Sequence, residues 1–175
     1  IRSFDEIPRG IESVAFSPTG RNIAASSDLG IAIWDIDSGK RTTILPENTG
    51  KLHRVVWSPD GRFVLSTSSH GHLCLWDIAG RRQVRSFKGK LEKVLAADHS
   101  PDGRFILTGT DNGNLVLWDL STGAVTQRFK GHPQKVLCLA FTPDGHHAVS
   151  GGADQKVRLW DIRNGKSIRT FTGHT

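Results

Sequence analysis

The sequence predicts an all-β chain made of four copies of one unit, each with four short antiparallel strands. Three observations carry this prediction. Four Trp-Asp pairs recur 42 residues apart, at Trp34, Trp76, Trp118 and Trp160. The 175 residues include 19 Gly and 7 Pro, which indicates many turns. No stretch of ten residues shows the period of a helix.

Several other motifs share this period. A turn motif of Ser or Thr followed by Pro-Asp-Gly occurs at residues 58–61, 100–103 and 142–145, and Ser17-Pro18-Thr19-Gly20 is its degenerate first copy. An apolar series consists of Phe4, Leu45, Phe87, Phe129 and Phe171. A glycine follows each Trp-Asp pair, at Gly39, Gly80, Gly123 and Gly165. We therefore expect one domain over residues 1–175, with repeats that end near Trp34-Asp35, Trp76-Asp77, Trp118-Asp119 and Trp160-Asp161.

The last repeat shows why each unit has four strands. Residues 136–141 form an apolar run that ends at a Pro-Asp-Gly turn, where Pro presets one dihedral angle and Gly supplies a positive φ. The second strand covers 147–150, and a turn over 151–155 leads to the third strand, 157–160. Asp161 can cap the next turn, which ends at Gly165, and residues 167–171 form the fourth strand.

These residues resemble the repeats of the WD-repeat family, whose units are the four-stranded blades of a β-propeller. The resemblance covers the whole chain and implies a β-propeller with four blades per chain. It also implies a hydrogen-bonded set inside a blade: a His before the first strand, a Ser or Thr on the second, an Asp in the following turn, and the Trp. The last repeat holds the full set, His132, Ser150, Asp154 and Trp160.

The other three repeats depart from this set. At its positions stand Lys90, Thr108, Asn112 and Trp118 in the third repeat, Asn48, Ser66, His70 and Trp76 in the second, and Ile7, Ala25, Asp28 and Trp34 in the first. We therefore expect one complete set and three incomplete ones. A Ser-His-Asp set is also typical of hydrolases, but here the serine would pair with a Trp inside a sheet, and no oxyanion donor is evident.

The composition argues against several functional classes. No apolar run approaches the ~20 residues of a membrane span, and no phosphate-binding glycine motif is present. The net charge of +6 tolerates an acidic partner without indicating nucleic acid. Cys74 and Cys138 both lie between leucines, so we expect buried free thiols in a reducing compartment, the cytoplasm. We expect no catalytic residue, no cofactor and no metal.

Three further clusters have a structural and a functional interpretation. His70-Gly71-His72 could contribute to a metal site, but no third ligand is visible, and a solvated turn is favoured. Asp98-His99 interrupts an apolar strand, where a polar contact is favoured over catalysis. The basic run over residues 81–93 is interpreted as a solvated outer strand that discourages edge pairing, with a patch for an acidic partner as the alternative.

The resemblance implies a non-catalytic scaffold that binds a protein or peptide. In this family the usual docking surface is formed by the loops before the first strands and the loops between the second and third strands, since loops carry recognition. This candidate partner face contains Lys90, Lys93, Gln134, Lys135, His70, His72, Asn112 and Gln155. Charge reversal at Lys90, Lys93 or Lys135 should therefore abolish partner binding. The alternative is a propeller that binds a small ligand or substrate in its central channel.

Four blades are few for this family, whose rings normally close with seven or eight. Two open blade faces would remain, and a second copy related by a twofold axis could complete a ring of eight, so we expect a homodimer. A four-bladed monomer and a fragment of a longer array remain alternatives. Because Ile1 rather than Met opens the chain, we expect a segment or a processed form of a longer protein.

The two ends of the chain carry two copies of the same outer strand. These copies are Ile1-Arg2-Ser3-Phe4 and Ile168-Arg169-Thr170-Phe171. Both would compete for one position beside strand 157–160. We expect one copy to be ordered there while the other frays or pairs elsewhere.

Overall fold

The computed structural model describes residues 4, 10–28, 30–46, 51–68, 70–87 and 92–173. In that part of the chain, sixteen β-strands form four sheets, and each sheet contains four consecutive antiparallel strands. No helix among these residues could cross a membrane. The predicted fold class, an all-β chain of four-stranded antiparallel propeller blades with four blades per chain, is confirmed.

The strand bounds repeat closely from blade to blade. Blade 1 contains β1 (Ser13–Phe16), β2 (Asn22–Ser27), β3 (Gly30–Asp35) and β4 (Arg41–Leu45). Blade 2 contains β5 (Leu52–Trp57), β6 (Phe63–Ser68), β7 (Leu73–Asp77) and β8 (Arg82–Phe87). Blade 3 contains β9 (Val94–His99), β10 (Phe105–Thr110), β11 (Asn114–Asp119) and β12 (Val125–Lys130). Blade 4 contains β13 (Val136–Phe141), β14 (His147–Gly152), β15 (Val157–Asp161) and β16 (Ser167–Phe171).

The chain divides into two compact units, residues 1–89 with blades 1 and 2 and residues 90–175 with blades 3 and 4. In the first unit, Ile33 and Leu45 of blade 1 share a buried core with Trp57 and Trp76 of blade 2. The Trp57 indole also donates to the Ala15 carbonyl at 3.1 Å. Each core is therefore built from the apolar faces of two consecutive blades.

The second unit has a core of the same kind. Leu115 and Phe129 of blade 3 pack with Ala148 and Trp160 of blade 4, and all four side chains are fully buried. The rings of Phe129 and Trp160 meet edge to face, with centroids 5.9 Å apart. Phe129, a member of the apolar series that marks the repeat in the sequence, thus joins the outer strand of blade 3 to the tryptophan of blade 4.

The turn after the third strand corrects the predicted glycine series in the second repeat. Gly39, Gly123 and Gly165 have φ of 71°, 75° and 72°. In blade 2 the positive φ of 49° belongs to Arg81 and not to Gly80. The period of 42 likewise places Arg81, and not Gly80, at the position of Gly39 and Gly123.

The outer strand of blade 4 is exposed along its whole length and pairs with β15. Residues 1–3 of the other predicted copy lie outside the described residues. Its last residue, Phe4, packs edge to face against Trp34, with ring centroids 6.5 Å apart. Competition between the two copies for one position remains a prediction.

The two thiols differ in exposure. Cys74 is buried, as predicted, whereas Cys138 is a free thiol that is exposed. Cys138 lies on a face of β13 that no other blade of its unit covers, so the flanking leucines were a misleading sign of burial. Leu137 beside it is 48% exposed.

Candidate functional site

Blade 4 holds a continuous chain of polar side chains inside the sheet. The Trp160 indole donates to Ser150 Oγ at 2.8 Å, and Ser150 Oγ lies 2.7 Å from His132 Nε2. His132 Nδ1 lies 2.8 Å from Asp154 Oδ1. The structure therefore brings together all four members of the hydrogen-bond set inferred from the sequence.

Arg158 extends this network, and the sequence analysis did not include it. Its Nη1 donates to Asp154 Oδ2 at 2.7 Å and lies 2.8 Å from His132 Nδ1. Only 8% of Arg158 is exposed, and a buried charge needs a partner. The carboxylate of Asp154, which is itself buried, compensates it. The equivalent positions two residues before each Trp hold the buried residues Ala32, Cys74 and Val116. A charged residue in this apolar series was the available signal.

The protonation of His132 follows from its neighbours. Nδ1 faces both the acceptor-only carboxylate of Asp154 and the donor-only guanidinium of Arg158, and Nε2 faces the Ser150 hydroxyl. Burial lowers the pKa of His132 and Arg158 lowers it further, while the hydrogen bond to Asp154 acts against them. For Asp154, burial acts to raise the pKa, but the hydrogen bonds from His132 and Arg158 outweigh it and leave the pKa below its usual value. The pair is a neutral imidazole beside a carboxylate.

The Ser-His-Asp geometry does not present a nucleophile to solvent. Ser150 is 1% exposed and His132 is 5% exposed. The serine hydroxyl is engaged by both Trp160 and His132, within the sheet. The arrangement satisfies buried polar groups and fixes the loop before β13 to β14 and β15.

The other blades keep a shorter form of this arrangement. Trp118 Nε1 donates to Thr108 Oγ1, and Trp76 Nε1 donates to Ser66 Oγ, each at 3.0 Å. Asn112 is exposed and accepts from Thr110 at 2.7 Å. Ala25 offers no hydroxyl in blade 1, and Ile7, Asn48 and Lys90 lie outside the described residues.

Five residues of the candidate partner face lie along one edge of the second unit, and all five are exposed. They are Lys93, Asn112, Gln134, Lys135 and Gln155. The Lys93 carbonyl accepts from Asp111 N at 3.0 Å, and the Lys135 carbonyl accepts from Ala153 N at 2.8 Å. These bonds tie each loop before a first strand to the hairpin between the second and third strands.

The two blades also meet at this edge. A side chain at Gly113, beside Asn112, would clash with the carbonyl oxygens of His132 and Gln134. The β10–β11 hairpin of blade 3 therefore lies directly against the loop that leads into blade 4. Asn112 and Gln134 are close neighbours as a result.

The remaining residues of the candidate partner face belong elsewhere. His70 and His72 are exposed in the β6–β7 hairpin of the first unit. Lys90 lies outside the described residues. In the part of the chain that the structure describes, no three His, Cys, Asp or Glu side chains form a group that could hold a metal ion.

Asp98 forms a contact between blades 3 and 4. Its Oδ2 accepts from Phe141 N and its Oδ1 from His99 N, each at 2.9 Å. Burial raises the pKa of Asp98, and the two hydrogen bonds act against that change. The carboxylate that interrupts the apolar strand is thus a polar contact between neighbouring blades.

Comparison with known proteins finds several proteins with similar segments. Protein LST8 homolog from Drosophila melanogaster is 36% identical over 81 residues, which are 42% of this chain and 26% of that protein. WD repeat-containing protein AAC3 from Dictyostelium discoideum is 35% identical over 65 residues, 36% of this chain and 13% of that protein. Coronin-7 from Mus musculus is 32% identical over 65 residues, 36% of this chain and 7% of that protein. The matched part spans about a quarter of these relatives or less.

The family comparison covers most of the chain. Four segments, residues 2–35, 39–77, 81–119 and 123–161, match the family described as WD domain, G-beta repeat. Each segment ends on the aspartate of a Trp-Asp pair. With four matching segments and four blades of the expected strand order, the chain belongs to the WD domain, G-beta repeat family.

Proposed function

We propose that the protein is a non-catalytic scaffold that binds a protein or peptide through the candidate partner face. One observation carries the proposal: Lys93, Asn112, Gln134, Lys135 and Gln155 are exposed along this edge of the second unit, and the backbone of Lys93, Lys135 and Gln155 is hydrogen-bonded. Such an edge offers amides and two cations at fixed positions. It suits recognition of an acidic or polar segment, since loops fixed by strands are where binding residues concentrate.

The rigidity of this edge supports its role. The complete hydrogen-bond set of blade 4 fixes the loop that carries Gln134 and Lys135, because His132 lies in that loop and bonds Ser150 and Asp154. A binding loop that is ordered before its partner arrives loses less conformational entropy on binding. The polar network is thus the support of the proposed face and not a catalytic device.

Charge reversal tests this proposal. The Lys93→Glu/Lys135→Glu variant, immobilised and exposed to a cell extract, should retain its bound proteins at least about fivefold less than the unmodified chain. The matched control is Lys40→Glu/Lys166→Glu, which changes the same charge at exposed turns after the third strands of blades 1 and 4. Equal retention by the first variant would contradict the choice of face.

We further propose that a second copy completes an eight-bladed ring. Val14 and Phe16 of β1 are 65% and 69% exposed. At the same positions of blade 2, Val55 and Trp57 are 3% and 7% exposed, because they pack against blade 1. Blade 1 thus exposes the apolar side chains whose equivalents in blade 2 pack on the preceding blade.

Blade 4 carries the opposite kind of open face. Phe171 is 44% exposed, whereas Phe129, its equivalent in blade 3, is fully buried beneath blade 4. Cys138 lies on the same uncovered face of blade 4. Two chains joined first blade to last blade would cover both faces, which supports the homodimer.

Light scattering coupled to size exclusion tests this assembly. We expect a mass of twice 19.2 kDa, and Phe16→Glu should return it to 19.2 kDa. Val84→Glu is the control, since Val84 is exposed on the outer strand of blade 2. A mass of 19.2 kDa at every concentration would contradict the homodimer and favour a four-bladed monomer or part of a longer array.

The exposed thiol of Cys138 supports a place in a reducing compartment, for which we propose the cytoplasm. Cys138 lies on the surface as a free cysteine. An exposed free thiol is kept reduced in the cytosol. Localisation of a fluorescent fusion tests this, and delivery to an oxidising compartment would contradict it.

A further inference from the structure

A groove lies between blades 3 and 4, at the end of the second unit opposite the candidate partner face. Its volume is about 820 Å³. The walls come from the β9–β10 and β13–β14 turns and from the residues around the turns that follow β11 and β15. Because strands alternate in direction, these turns lie at the other end of the blades from the β10–β11 hairpin. None of the residues of the candidate partner face lines this groove.

The floor of the groove is apolar. Pro101, Phe105 and Leu117 contribute from blade 3, and Pro143 and Ile162 contribute from blade 4. Phe105 and Ile162 belong to the packed core between the blades, which holds the floor in place. An aliphatic side chain could therefore bury its surface here without rearrangement of the blades.

The rim of the groove carries three aspartates, Asp102, Asp119 and Asp144. The Oδ1 atom of each is held by its own turn. Asp102 Oδ1 accepts from the Ser100 hydroxyl at 2.5 Å and from the Arg104 backbone amide at 3.0 Å. Asp119 accepts from Ser121 at 2.6 Å and from Thr122 at 2.8 Å. Among the described residues, Oδ2 of Asp102 and Oδ2 of Asp119 accept no hydrogen bond, so both atoms can receive a ligand.

These carboxylates are ionised at neutral pH. The hydrogen bond from Ser121 and that from the Thr122 amide lower the pKa of Asp119 to about 2. The hydrogen bonds from Thr142 and the His146 amide lower the pKa of Asp144. The cationic or titratable groups among the lining residues are Arg163 and His146. Two more lie beside the rim: the Arg104 guanidinium, 5.3 Å above the Phe105 ring, and His147, whose Nδ1 is 3.8 Å from Asp144 Oδ2. The groove is thus locally acidic, while the chain as a whole has a net charge of +6.

We propose that this groove binds an extended peptide segment of another protein that carries an Arg or Lys side chain between aliphatic residues. The methylene stem would lie on the apolar floor, and the cationic head would meet the Oδ2 atoms of Asp102 and Asp119. The opposite charges of groove and ligand select this occupant. An acidic segment or a phosphate backbone would meet like charge at the same rim.

Three blocked heptapeptides of alternating sequence test the proposal: leucine with arginine, leucine with glutamine, and leucine with glutamate. They are titrated into the full chain labelled with nitrogen-15. The arginine peptide should shift the amide signals of Leu117 and Ile162 and bind at least about fivefold more tightly than the glutamine peptide. Equal affinity of the glutamine or glutamate peptide, or no binding of the arginine peptide at millimolar concentration, would overturn the proposal.

The variant Asp102→Asn/Asp119→Asn keeps the Oδ1 acceptors of both turns and removes both charges. It should weaken the arginine peptide at least about fivefold, whereas Asp35→Asn should leave its affinity unchanged. Asp35 is the matched control because its Oδ1 accepts from the Ser38 amide and hydroxyl in the equivalent turn of blade 1. Unchanged affinity in the double variant would exclude the groove as the binding site. A changed mass in light scattering would identify a second copy as its occupant and overturn the proposal.

Discussion

The two blades of the second unit solve the same problem, a buried indole N–H, in different ways. In blade 3 Trp118 donates to Thr108 Oγ1, and that hydroxyl donates to the Val116 carbonyl at 3.2 Å. In blade 4 the equivalent hydroxyl, Ser150, lies within hydrogen-bonding distance of His132. His132 in turn contacts Asp154, which accepts from Arg158. The comparison teaches that one hydroxyl suffices for the indole. The additional groups fix the loop before β13 to the sheet.

The largest effect should come from Asp154→Ala, which leaves Arg158 as a buried charge without its carboxylate. We expect a loss of about 3–5 kcal/mol in the free energy of unfolding, measured by chemical denaturation. The equivalent change in blade 3, Asn112→Ala, removes one exposed acceptor and should cost less than about 1 kcal/mol. Equal costs at the two positions would show that the blade 4 network adds no stability.

Removal of the hydroxyl should have the next largest effect. Ser150→Ala leaves both Trp160 Nε1 and His132 Nε2 without a partner, and should cost about 2–3 kcal/mol. Thr108→Val removes the acceptor of Trp118 Nε1 and one donor to the Val116 carbonyl, which keeps its place in the sheet, and should cost about 1–2 kcal/mol. Thermal unfolding of both variants measures the difference. A larger cost for Thr108→Val would reverse the comparison.

The pH dependence of stability should also differ between blades 3 and 4, because His132 belongs to the network of blade 4. The pKa of His132 is lowered in the folded state. As the pH falls below about 6.5, this imidazole is therefore protonated more readily in the unfolded chain than in the folded one, which favours unfolding. Stability should therefore decrease from pH 7 towards pH 5.5. His132→Phe should reduce this decrease, in unfolding curves recorded across that range. An unchanged slope in the variant would show that His132 is not the titrating group.

The smallest effect should come from the hairpin between the second and third strands. Gln155 in blade 4 has a φ of 61°, at the position where blade 3 has Gly113 with a φ of 87°. Gln155→Gly should stabilise the chain by about 0.5–1 kcal/mol, because a residue with a side chain is strained in this region. Denaturation midpoints measure the gain. A loss of stability would mean that the Gln155 side chain contributes more than its backbone strain costs.

The fold could be predicted from the sequence because each strand end carries its own local signal. Proline and glycine at 59–61, 101–103 and 143–145 set the turns, and the Trp-Asp pairs set the period. Burial was harder to predict because it depends on the neighbouring blade. Cys138 stands in a strand with the composition of a core strand, yet it is exposed, since no other blade of its unit covers that face.

The site was predicted only where a motif described it. The resemblance to the WD-repeat family implies His132, Ser150, Asp154 and Trp160, whereas the only sign of Arg158 is a charged residue in an apolar series. The groove between blades 3 and 4 could not be predicted, because its floor and rim come from turns of two blades that lie about 40 residues apart in the sequence. A periodic pattern specifies a blade, whereas a groove between blades depends on how their side chains pack.

The edge-to-face contact of Phe129 with Trp160 bears on how such chains could be recombined. The matched segment 123–161 contains both rings, although they belong to different blades. Gly131 lies against the same indole, since an added Cβ there would be 2.5 Å from Trp160 Cη2. A genetic exchange of residues 123–161 would therefore transfer an intact ring pair with its glycine. An exchange of blade 4 alone, residues 136–171, would separate the two rings. The segment that can be exchanged with its ring pair intact therefore includes parts of two blades.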